Sequence, residues 1–133
     1  MFSAAIHKPI LLEAFSNCLE PIRSDLGNVH PDMRLSPYIS GAVLGTCRGY
    51  GNKHKLRESV IEKLIDNAYE EVFRSESLDM QTKAETWLTE KNSDFLSAYY
   101  HAKSLTEVEL NLDWLSDYVQ VHFKKASTRG QHL

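Results

Sequence analysis

The sequence predicts an all-α fold, a single compact bundle of about six helices, on three observations. Apolar residues recur at helical spacing along most of the chain, no stretch alternates with the period of two that a strand requires, and cap residues and prolines cut the pattern into helix-sized pieces. The longest piece is residues 53–75, KHKLRESVIEKLIDNAYEEVFRS, led by Leu56. Its apolar pairs Val60-Ile61, Leu64-Ile65, Ala68-Tyr69 and Val72-Phe73 stand four residues apart. At about 100° per residue the stripe drifts by roughly 40° per step, so the apolar surface spreads around the helix. A helix lying on one flat partner needs a narrower stripe. Residues 53–75 are therefore expected to form the central buried helix.

The first helix is expected to start near His7, with Pro9 in its first turn, where a missing N–H costs nothing. Leu11, Leu12, Phe15, Cys18, Leu19 and Ile22 give it one apolar face, and Pro21 ends or kinks it. Residues 24–36 read as a connection long enough to hide a short helical turn. Ser36-Pro37 restarts a helix as N-cap and first helical residue. In it Ile39, Val43 and Cys47 share a side, and Gly41 and Gly45 form a groove for a crossing helix, with Gly49 or Gly51 as the stop.

Asn52 is the expected cap of the central helix, and Ser75 or Ser77 its close. A weaker amphipathic helix follows over 78–91, then a short one from Asn92 or Ser93 holding Phe95, Leu96, Ala98, Tyr99 and Tyr100. Thr106 and Glu109 read as a capping box for a last helix to about Lys125, with Leu105 stapling onto Leu110. Lys124 and Lys125 would complement its dipole. Residues 126–133 carry no core pattern and read as a flexible tail.

A chain of 133 residues fits one domain over 1–133 and buries enough surface to fold without a disulfide or metal. A net charge of −3 argues against a globally basic nucleic-acid binder. The only cysteines, Cys18 and Cys47, are too few for a secreted disulfide scaffold and read as buried reduced thiols. No apolar run approaches the ~20 residues of a membrane span, and the first residues lack the basic-then-apolar pattern of a signal peptide. The expected location is the cytoplasm, with no membrane association.

Charge is unevenly placed. No acidic residue lies between Asp32 and Glu58, whereas CRGYGNKHKLR gathers Arg48, Tyr50, Lys53, His54, Lys55 and Arg57 around a glycine-bearing turn. Such a turn suits an anion or an acidic partner, although its glycine spacing matches no nucleotide-binding loop, and a solvated turn that binds nothing specific is the plain alternative. Glu107, Glu109, Asp113 and Asp117 form the opposite pole, which could face solvent, balance the basic turn within one molecule or meet it across a two-fold axis. Tyr99 and Tyr100 cannot both face inward, so one is a second interface candidate with Asp113 and Asp117.

The six histidines show no metal-ligand spacing, and no serine or cysteine sits in a nucleophile motif, so no metal, cofactor or catalysis is expected. The functional expectation is a small cytosolic helical adaptor or regulator that binds a protein, a homodimer being one form. The alternative is nucleic-acid or phosphate-ligand binding through residues 48–57.

Overall fold

Three glycines decide how the helices meet in the computed structural model, which describes residues 3–22 and 31–123. A Cβ on Gly41 would overlap the Phe95 carbonyl, and one on Gly45 the Tyr99 carbonyl. At Gly49 a Cβ would stand 2.5 Å from the Lys103 carbonyl oxygen and 3.0 Å from the Thr106 side chain. The series 41, 45, 49 faces 95, 99, 103, so the two helices run parallel with their backbones nearly touching. Each glycine costs about 1 kcal/mol of helix propensity relative to alanine, offset here by an approach that no side chain would permit.

Among the described residues the α-helices are α1 (Ser3–Leu19), α2 (Pro37–Lys53), α3 (Glu58–Phe73), α4 (Ser77–Thr89), α5 (Ser93–Val108) and α6 (Asp113–His122), with short 3-10 segments at Glu20–Ile22, Pro31–Leu35 and Arg74–Glu76. No strand occurs among the described residues. The all-α bundle read from the sequence is what the chain forms. No helix among the described residues is long and apolar enough to cross a membrane.

Two starts follow local signals closely. Ser36 caps α2 by accepting from the Ile39 N–H at 3.1 Å, with Pro37 first in the helix. Asn92 caps α5 by accepting from the Phe95 N–H at 3.0 Å. The α1 face is buried at Leu11, Phe15, Cys18 and Leu19, and the helix gives way to a 3-10 turn at Glu20 just before Pro21.

Other boundaries differ from expectation. α1 begins at Ser3 rather than His7, so Pro9 lies inside it and leaves the Ala5 carbonyl without its usual helical donor. Gly49 and Gly51 do not stop α2, which continues to Lys53 because Gly49 faces α5 and Gly51 faces the Ile61 side chain. The segment 53–57 accordingly does not open the central helix: Asn52 and Lys53 belong to α2, and α3 starts at Glu58. α3 buries Ile61, Leu64, Ile65, Ala68, Tyr69, Val72 and Phe73 against α1, α2 and α4. Glu62, Asp66 and Glu70 stay exposed, so the helix is one-sided and α2 is the more fully enclosed element.

The capping box is not formed. Thr106 is 1% exposed inside α5, whose face of Ala98, Ala102 and Thr106 extends along α2. The last helix starts instead at Asp113, whose N–H donates to the Asn111 side chain at 2.9 Å. The expected tail 126–133, with Lys124 and Lys125, lies outside the described residues.

Two helix ends share one device. After α2 the Leu56 N–H donates to the Gly51 carbonyl at 2.9 Å and the Lys55 N–H to Asn52 at 3.2 Å. After α4 the Asn92 N–H donates to Trp87 at 2.9 Å and the Lys91 N–H to Leu88 at 3.2 Å. Both are Schellman closures, and both put a lysine in the left-handed position, at φ 56°. That conformation costs a non-glycine residue about 1 kcal/mol. Lys55→Gly and Lys91→Gly are each expected to stabilise the fold by about 0.5–1 kcal/mol in urea titration.

The buried hydroxyls of Ser40, Tyr69 and Thr46 are not satisfied alike. Ser40 Oγ and Tyr69 Oη lie 2.9 Å apart, and Tyr69 also donates to the Ser40 carbonyl at 3.0 Å. Thr46 Oγ1 is buried without a hydrogen-bond partner among the described residues. Thr46→Val keeps the shape and removes the unpaired group, so a gain of about 1 kcal/mol is expected in the same titration.

Candidate functional site

Helix α2 carries the first residues of the basic stretch, Arg48, Tyr50 and Lys53, so these do not lie on a turn, and the fold treats the residues of the stretch differently. Arg48 is already engaged, donating to Glu58 at 2.6 Å across the α2–α3 corner. Tyr50 is buried, and its hydroxyl lies 2.6 Å from His7 Nδ1 on α1. Burial holds the Tyr50 phenol above its ordinary pKa, so it stays protonated and can donate to an unprotonated imidazole. The His54 ring packs on Tyr50 at 4.3 Å and on His7 at 5.0 Å between centroids.

Lys53, Lys55 and Arg57 are exposed and form no ion pair among the described residues. Of the six predicted residues these three remain available to a partner. Arg48 and Tyr50 are structural, and His54 belongs to the ring cluster. Glu58 stands in the first turn of α3 and meets the dipole with negative charge, so the helix start is not an open anion cradle.

Burial first, then His7 and Lys53, lower the His54 pKa. The unfolded chain therefore takes up that proton more readily than the fold does. This contribution is intact above the ordinary imidazole value of about 6.5 and is lost as pH falls through it. Thermal unfolding between about pH 7.5 and 5.5 is expected to show a falling Tm, with a shallower fall in His54→Gln.

The acidic pole is split. Glu107 accepts from Asn52 at 2.8 Å and from Lys103 at 3.1 Å, which joins the ends of α2 and α5. These two bonds lead the causes that lower its pKa. Glu107 also has a basic neighbour outside the basic turn, because Lys103 stands one helical turn before it. Asp113 and Asp117 are exposed on α6, and neither ion-pairs with the basic turn among the described residues. Tyr100 is the outward tyrosine, 59% exposed, while Tyr99 is half-buried beside Phe95. The Tyr99 and Tyr100 rings meet edge to face at 5.1 Å between centroids. Cys47 is wholly buried, and burial pushes its thiol up to about 12, which removes thiolate chemistry at neutral pH.

A second surface was not anticipated. The antiparallel pair α3–α4 leaves a groove made of two adjoining clefts of about 320 and 390 Å³ that share Asp66 and Gln81. Leu44, Ile65, Tyr69 and Ala84 line it at one end. Leu88, 46% exposed, and Leu78, 80% exposed, mark opposite ends of its α4 side. Glu62, Asp66, Glu70 and Glu85 stand along it. The signal lies in the sequence as acidic residues at 62, 66 and 70, one helical row beside the apolar pairs. Helical spacing identifies that row, but only the position of α4 shows that it borders a groove.

No protein-family model matches this chain, and neither does any curated protein or solved structure.

Proposed function

We propose that the protein is a non-catalytic, cytosolic helical adaptor or regulator that works by binding another protein, with the α3–α4 groove as its contact surface. The observation that carries this reading is the groove itself, lined at one end by Leu44, Ile65, Tyr69 and Ala84 and flanked by two exposed leucines. Exposed leucines on the rim of a concave surface are costly in water and favourable against a partner. Cross-linking in native lysate with the wild type and a Leu78→Asp/Leu88→Asp variant tests it. A partner captured by the wild type and lost by the folded variant is expected, and identical capture by both would overturn the reading.

A second reading is anion binding at the α2–α3 turn, supported by the exposed Lys53, Lys55 and Arg57. Titration with DNA and RNA across a salt series decides it, since phosphate contacts produce a steep salt dependence. Charge reversal at Lys55 and Arg57 is expected to leave the fold intact, because both side chains are exposed. Circular dichroism checks that outcome. A homodimer is one form of the leading reading, and light scattering at high micromolar concentration would show it.

A further inference from the structure

We propose that the partner seated in the α3–α4 groove is a basic amphipathic helix, an inference that rests on the protein-binding reading above. The basis is charge complementarity along a groove that also exposes leucines. Glu62, Asp66 and Glu70 follow one another at four-residue steps along α3, about 6 Å apart on the helix axis. Glu85 adds a fourth carboxylate from α4. None of the four forms an ion pair among the described residues. The two arginines lining the groove are already matched, Arg48 by Glu58 at 2.6 Å and Arg74 by Glu71 at 3.8 Å. The groove therefore presents uncompensated negative charge beside apolar surface.

Its length fits a helix rather than an extended strand. Leu78 and Leu88 stand ten residues apart on α4, about 15 Å along the axis, or nearly three helical turns. A partner helix with lysine or arginine at four-residue steps matches the α3 carboxylates in register. Leucines on its adjoining face then meet Ile65, Leu78 and Leu88. An acidic helix would set like charges opposite one another. A peptide strand would need an open sheet edge, and no sheet exists among the described residues.

The test is fluorescence anisotropy on the full chain with labelled helical peptides of leucine and lysine, and with the same leucine face carrying glutamate. The lysine peptide is expected to bind at least about tenfold more tightly, with an affinity that falls as salt rises. Glu62→Gln/Asp66→Asn/Glu70→Gln/Glu85→Gln should remove most of that preference and flatten the salt dependence, and Leu78→Asp/Leu88→Asp should abolish binding. Equal binding of both peptides, lost in the leucine variant, overturns the basic-helix proposal and leaves the protein-binding reading standing. Lysine-peptide binding unaffected by either variant places the peptide elsewhere and overturns it too. Self-association that disappears in the leucine variant assigns the groove to a second copy and likewise sinks the proposal. If no peptide binds, the proposal falls, and the broader reading falls with it only when lysate capture is also identical in both proteins.

Discussion

Gly45→Ala is expected to cost about 3 kcal/mol or more, enough to unfold much of the population of a marginally stable domain. Alanine is the better helix former by about 1 kcal/mol, so an exposed glycine would show a gain. Here the added methyl would meet the Tyr99 carbonyl, a backbone group held within α5 that cannot rotate aside. Only separation of α2 from α5 relieves the clash, and that separation also opens the packing around Ala42, Val43 and Ala98. Gly51→Ala is the internal control. Its new methyl would stand 2.5 Å from the Ile61 side chain, whose end can shift, so a smaller loss is expected. Chemical denaturation of the two variants side by side tests this, and equal losses would refute the distinction between backbone and side-chain obstacles.

Tyr69→Ala is expected to cost about 4 kcal/mol. The side chain is almost wholly buried, packs on Phe73 and ties α3 to α2 through Ser40. Its removal leaves a cavity beside the groove and strips the Ser40 hydroxyl of its partner in a dry setting. Tyr69→Phe separates the two contributions: the ring stays and only the hydrogen bonds go, for an expected loss of about 1–2 kcal/mol. Burial pushes the Tyr69 phenol far above its ordinary value, so the hydroxyl remains a donor throughout the stable pH range. Thermal and urea unfolding of both variants provide the check. A Tyr69→Phe loss equal to that of Tyr69→Ala would mean that the cavity contributes nothing.

Part of the candidate site was visible in the chain and part was not. Lys53, Lys55 and Arg57 are exposed, as their charge alone led one to expect, because charged side chains stay in water unless paired. Arg48 and Tyr50 looked equivalent to them by position and are not. Arg48 meets Glu58 because α2 persists to Lys53 and turns back sharply, and Tyr50 meets His7 because α1 starts early enough to reach it. The groove carboxylates at 62, 66 and 70 were legible as a row, yet a row of charge on a helix is ordinarily just its wet side. Where α4 lies beside that row is a matter of packing.

Sequence alone determined the helical class, the cap at Ser36, a helix start at Asn92 or Ser93, the break at Pro21 and the buried faces of α1 and α3. These are local effects: side-chain periodicity, one capping hydrogen bond and one missing N–H act within a turn or two of themselves. Only the tertiary structure decided that α2 runs on through Gly49 and Gly51, that α5 runs through Thr106, and that α3 begins at Glu58. At Gly49 and Thr106 the local signal was outweighed by burial between α2 and α5, which are distant in the chain, and at Gly51 by the Ile61 side chain. A glycine reads as a stop until another backbone needs its space, and a threonine as a cap until its side chain is wanted in the core.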